Sequence, residues 1–307
     1  MTSSPTTIPT ESSATPDRSL AQVPSAGFLK RLGLNGLGSG DLVFLGILAV
    51  AAIWIWARDL AWLAAAEETL PILAALPLFV WLGAPWRFRE GSWSLPGRPL
   101  VAVGLMAVTG LALDITLLLA LAWTYALWLW LKVRVVANPS LLRRLAILPL
   151  LAFPWIALDL TPVGWGFRLS AAWVADHLYS AVGFTVAREG IMLQVSGIPI
   201  EVAAPCSGMN SLQAILLGGL VLTWMEFGRN RSYWWMVASL PLMSWIANTM
   251  RVCSVIATAV GLGPDAARGS LHQIGGWVVV LMVCLLWSWM LKCVANAHQQ
   301  KKAPVSQ

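Results

Sequence analysis

The chain has 307 residues, of which 58% are apolar and 11% charged, against roughly 25% charged in a soluble domain. A soluble globule cannot hide that much apolar surface, so the composition excludes one and calls for an all-α polytopic membrane protein. The net charge of +6 does not point to nucleic acid, because Lys and Arg gather in short segments between apolar runs, as membrane topology requires.

Residues 1–27 are rich in Ser, Thr and Pro and cannot bury enough apolar area to fold. A disordered cytoplasmic tail is expected over 1–40, a transmembrane domain over 41–294 and a cytoplasmic tail over 295–307. The first apolar run starts near Leu42, so no cleavable signal peptide is expected. A span needs about 20 mostly apolar residues, or about 17 at the short end. About eight candidates follow: roughly 42–57, 69–86, 99–113, 115–131, 145–160, 207–227, 234–260 and 272–292. Pro99–Leu131 is one run broken only by Asp114. As a single helix it would reach about 50 Å, beyond a ~30 Å hydrocarbon core. A tight hairpin is expected instead, with Gly110 and Asp114 near the bend.

With both termini in the cytoplasm, the outer segments hold only Arg58, Arg168, Arg188 and Arg268, and Arg251 falls within a span. The other 15 of the 20 Lys and Arg fall in the inner segments. That bias sets the orientation. The largest outer segment is 161–206. "FRLSAAWVADHLYSAVGFTVAREG" has helical spacing of apolar positions and predicts an amphipathic helix at the outer surface. Ile191, Leu193 and Val195 alternate, as do Ile198, Ile200 and Val202, with Ser196-Gly197 between them. That predicts a small β-hairpin with a two-residue turn, and Pro199 suits an edge strand.

The four cysteines form no C-x-x-C pair, and there is no H-E-x-x-H, so no metal or other cofactor is expected. Cys253, Cys284 and Cys293 lie within or at the end of spans and read as small apolar residues. Cys206, in "EVAAPCSGMNSL", stands at a helix start on the outer side. Free backbone N–H groups and the helix dipole there raise the thiolate fraction. Ser207 follows it, and Gly208 lets backbone approach a substrate. Arg251 sits in an otherwise uncharged span, where an arginine costs at least a few kcal/mol. Asn248, three residues earlier, shares its face. His272 lies at the outer start of the last span. These three reactive side chains fall on one side of the membrane: Cys206 as nucleophile, His272 as general base then acid, and Arg251 as oxyanion partner.

The blocks "PCSGMNSL", "IANTMRV" and "GSLHQIGG", with "GIMLQVSGIPIEVA" before them, resemble the exosortase/archaeosortase family over roughly residues 145–292. The resemblance implies a membrane cysteine transpeptidase. Its substrates would be exported proteins ending in a short motif such as Pro-Glu-Pro, an apolar helix and a basic cluster. It places the family's catalytic Cys, Arg and His on Cys206, Arg251 and His272, with Asn248 at the polar position before the arginine. It implies residence in the cell (inner) membrane, with the site on the extracytoplasmic side. The implied acceptor is an unidentified polysaccharide or lipid. Two other readings carry distinct features. A transporter would bind an anionic solute at Arg251. A rhomboid-like serine protease would use Ser270, Ser207 or Ser211.

Overall fold

The long apolar runs leave their backbone groups no partner but their own chain, so they form helices. A computed structural model describes residues 36–63, 66–137, 139–202, 209–228, 230–263 and 270–300. The N-terminal half holds α1 (Ser39–Ala57), α2 (Ala66–Gly83), α3 (Gly97–Ala112) and α4 (Thr116–Arg134). The predicted hairpin is present. Asp114 takes up the reversal between α3 and α4 at φ 56°, a conformation Asp tolerates better than most residues. Arg58, just past α1, forms an ion pair with Asp114 at that bend. At the other end of the same two helices, Arg134 Nε and Nη2 donate to Asp41 at 2.8 and 2.6 Å, and Trp130 Nε1 donates to it at 3.0 Å. The two helices are therefore antiparallel neighbours, pinned by charge at both ends.

The fifth predicted span, 145–160, is not a regular helix. After α5 (Pro139–Leu145) come a 3-10 turn, Leu148–Ala152, and a short α6, Trp155–Asp159. Pro149 and Pro154 remove two backbone donors and interrupt the ladder. The carbonyls left open find side-chain donors. Trp155 Nε1 reaches Leu150 O at 2.9 Å, Gln213 Nε2 reaches Leu151 O at 2.9 Å, and Trp56 Nε1 reaches Ala152 O at 2.7 Å. Leu148, Leu151, Ala152, Phe153 and Ile156 are buried in the main core. Irregular backbone at membrane depth survives only with such cover. The segment ends at Asp159, which accepts the Thr116 and Leu117 N–H groups and so caps α4.

Helix α7 (Thr161–Ala181) follows, then a three-stranded antiparallel sheet: β1 (Val186–Glu189), β2 (Met192–Val195) and β3 (Ile198–Glu201), in that order. The predicted hairpin is β2–β3, paired Val195 to Ile198, with Ser196 and Gly197 both at positive φ as a type I′ turn needs. Strand β1 adds to it and was not foreseen. One face of the sheet, through Leu193 and Val195, packs on Ala171, Ala172 and Ala175 of α7. The three alanines let helix and sheet approach closely.

The last three helices are α8 (Met209–Phe227), α9 (Tyr233–Leu262) and α10 (Ser270–Gln300), and all three pack on one another. Two adjacent glycines of α8 permit this. A Cβ on Gly219 would lie 2.3 Å from Leu240 of α9, and one on Gly218 would lie 3.3 Å from Cys284 of α10. Small residues at such contacts are how apolar helices associate inside a bilayer. At the far end of α8, Arg144 donates to Gly228 O at 2.7 Å and lies over the Tyr233 ring.

Among the described residues, four helices are long and apolar enough to cross a membrane: α1, α4, α9 and Gly275–Asn296 of α10. Thr69–Gly83, Gly97–Ala112 and Leu212–Phe227 are shorter apolar helices. The expectation of eight spans thus resolves into four full-length helices, three shorter ones and one broken, buried segment. Helix α10 continues past position 292 to Gln300.

Candidate active site

Arg251 lies on α9 among residues that should be apolar, yet only 4% of it is exposed. It does not reach outward along its own helix. Its guanidinium lies flat against α10 at Gly276: a Cβ there would stand 3.0 Å from Cζ, 3.1 Å from Nη2 and 3.3 Å from Nε. Only glycine leaves room for that contact. The backbone of α10 puts His272 in its first turn, four residues before Gly276. The sequence pointed to the histidine and the arginine but missed the glycine that seats the arginine. The signal was there, in "HQIGG" one turn after the histidine.

The turn of α9 around Arg251 is held from outside. Tyr179 of α7 donates its hydroxyl to Cys253 O at 2.7 Å. Burial pushes the Tyr179 phenol above its ordinary pKa, so it stays protonated and keeps donating. Ser254 Oγ donates to Arg251 O at 2.8 Å, and Trp245 Nε1 donates to Ser170 Oγ of α7 at 2.9 Å. Val252 and Ile256 share a buried cluster with Val202, the residue that leaves β3. The Val202 N–H donates to Ile191 O at 3.0 Å, fixing the exit of the sheet. Cys206, Ser207 and Gly208 lie outside the described residues. The flanking anchors are described: Val202 is packed beside Arg251's own turn, and α8 begins at Met209.

Asn248 lies one turn before Arg251 and is fully buried. Among the described residues neither its Oδ1 nor its Nδ2 has a hydrogen-bond partner, and the buried Ser244 Oγ one turn further on has none either. Ser244, Asn248 and Arg251 form a polar stripe on the face of α9 turned inward, whose neighbour Ala247 clusters with Ile215 of α8 and with Val279 and Val283 of α10.

His177 is exposed on α7, with Nδ1 2.8 Å from Trp173 O of its own helix. Cys253 and Cys284 are half-buried and Cys293 is exposed, all as free thiols. Among the described residues no three His, Cys, Asp or Glu side chains gather as metal ligands would. A cleft of about 510 Å³ lies at the far end of α8 beside Arg87, Trp224 and Glu226, and no candidate residue lines it.

Apolar helices packed around a buried arginine, with a small sheet leading to a cysteine, define a polytopic membrane protein with a polar site in its helix bundle. The transmembrane exosortase family model (Exosortase_EpsH) matches residues 42–289, and the chain belongs to that family. No curated protein and no solved structure matches it significantly. Family membership supports a membrane transpeptidase- or protease-like role in protein sorting.

Proposed function

We propose that this protein is a membrane cysteine transpeptidase that removes the C-terminal sorting tail of exported proteins through a thioester at Cys206. The observation that carries the reading is the seat of Arg251. A buried cation rests on Gly276, one turn from His272, and the strand leading to the cysteine packs on its own helix turn. Cys206 is the fourth residue after Val202, a reach of at most about 14 Å, so the chain is long enough for the thiol to come to the arginine without moving the sheet.

In this reading the substrate's own apolar helix docks beside the bundle, and its motif lies at the extracytoplasmic surface. The Cys206 thiolate attacks a backbone carbonyl carbon. Arg251 stabilises the oxyanion that develops. The C–N bond breaks as His272 gives a proton to the departing amine, leaving a thioester. A hydroxyl or amine of the acceptor, a polysaccharide or lipid, then attacks that carbonyl. The S–C bond breaks, His272 takes the acceptor's proton, and the thiolate returns. Ser207 and Gly208 flank the nucleophile. No metal or cofactor enters the scheme. The cell inner membrane and an extracytoplasmic site fit the charge bias of the sequence.

The test is co-expression with a tail-bearing protein from the same genome. Wild type is expected to remove the tail. Cys206→Ala is expected to leave it uncut, with loss of any thioester-linked adduct. Tail removal that persists in Cys206→Ala would sink the proposal.

A further inference from the structure

Asn248 raises a problem of polar accounting. Its carboxamide is fully buried, yet among the described residues both the donor and the acceptor go unmatched. Buried polar atoms are nearly always bonded, and leaving them bare costs several kcal/mol in apolar surroundings. The pairing of needs is specific. Oδ1 wants an N–H and Nδ2 wants a C=O, and an extended chain offers both on one side, from the N–H and the C=O of a single residue. A solute anion would answer only Nδ2, and a cation only Oδ1. Asn248 sits one turn from Arg251 on the same inward face, and Ser244, equally bare, extends the stripe by another turn.

We propose that Asn248 is a substrate-binding residue that grips the main chain of the tail-bearing substrate through paired hydrogen bonds to the N–H and C=O of one extended residue. The inference rests on the proposed reading of the site and adds a specificity element to it. Recognition through the main chain makes the grip independent of the side chains in the substrate's motif. It requires an extended segment, because in a helix those peptide groups are already bonded to one another.

The test uses the full-length chain with Cys206→Ala in lipid nanodiscs. The probe is a reporter protein ending in a Pro-Glu-Pro motif, an apolar helix and an arginine cluster. Captured reporter is measured by crosslinking. Adding Asn248→Leu, which keeps the branched shape of Asn but bonds nothing, is expected to cut capture at least tenfold. Asn248→Gln, which keeps both atoms, is expected to restore part of it. In otherwise wild-type chain, Asn248→Leu is expected to leave the unfolding temperature unchanged or raised, since it removes a bare polar group. A fall of more than about 5 °C would show that the amide bonds within the protein and overturn the proposal. Equal capture with Asn and Leu would overturn it in favour of a bound water. Tail removal by Cys206→Ala would count against the nucleophile, whereas capture reports on Asn248, so the two readings can fail separately.

Discussion

Replacing Gly276 with alanine adds one methyl group where the Arg251 guanidinium now lies. The new carbon would stand 3.0 Å from Cζ and 3.1 Å from Nη2. Carbon atoms rest about 3.5–4.0 Å apart, so the guanidinium must retreat by roughly 0.5–1 Å. The fold tolerates that readily. The displaced group ends a long, flexible side chain, and alanine in mid-helix is favoured over glycine by about 1 kcal/mol. Stability is therefore expected to change by less than about 1 kcal/mol. Catalysis is less forgiving, since a ~1 Å misplacement can cost on the order of 100-fold. Gly276→Ala is thus expected to fold like wild type and remove sorting tails about 100-fold more slowly. The assay pairs thermal unfolding in detergent with the rate of tail loss from a co-expressed substrate, using Arg251→Ala as the inactive reference. If Gly276→Ala works at the wild-type rate while Arg251→Ala is dead, the guanidinium does not act from its seat on α10, and the argument fails.

Two further substitutions probe the scaffold and not the chemistry. Gly219→Ala would put a methyl 2.3 Å from Leu240, which is fully buried. Overpacking of that kind should lower stability by about 1–3 kcal/mol, read as earlier thermal unfolding, while tail removal per folded molecule stays near wild type. Asp41→Ala strands the buried Arg134 cation and should cost about 3–5 kcal/mol. Pairing it with Arg134→Met should recover much of that loss, and a double mutant as unstable as the single would refute the pairing.

The parts of the fold that depend on local pattern were legible in the sequence. The apolar runs gave the helices, Asp114 marked the reversal, and Ser196-Gly197 marked the hairpin turn. What escaped depended on partners distant in the chain. Nothing in the 145–160 run shows that Trp56 and Gln213 will take its open carbonyls. Strand β1, "VARE", is four residues with two charges and becomes a strand only beside β2. Arg134 and Arg144 read as loop charges that set topology, but both are buried clamps. At the candidate site, the sequence brought Asn248 and Arg251 into view by helical spacing and His272 by its place at the start of a span. The glycine that seats Arg251 stood in view in "HQIGG", but its pairing with the arginine could not be read from spacing within one helix, because the two belong to different helices.

The broken stretch between Pro139 and Asp159 also bears on how the bundle comes together. Two of the three donors that cover its open carbonyls come from elsewhere in the chain, one made earlier and the other, Gln213, more than fifty residues later. Alone in lipid, this stretch would present bare oxygens to hydrocarbon. Its cover is complete only once the helix that follows the cysteine has packed against it. The helix that begins just past the cysteine is thereby also the one that closes the bundle around this stretch.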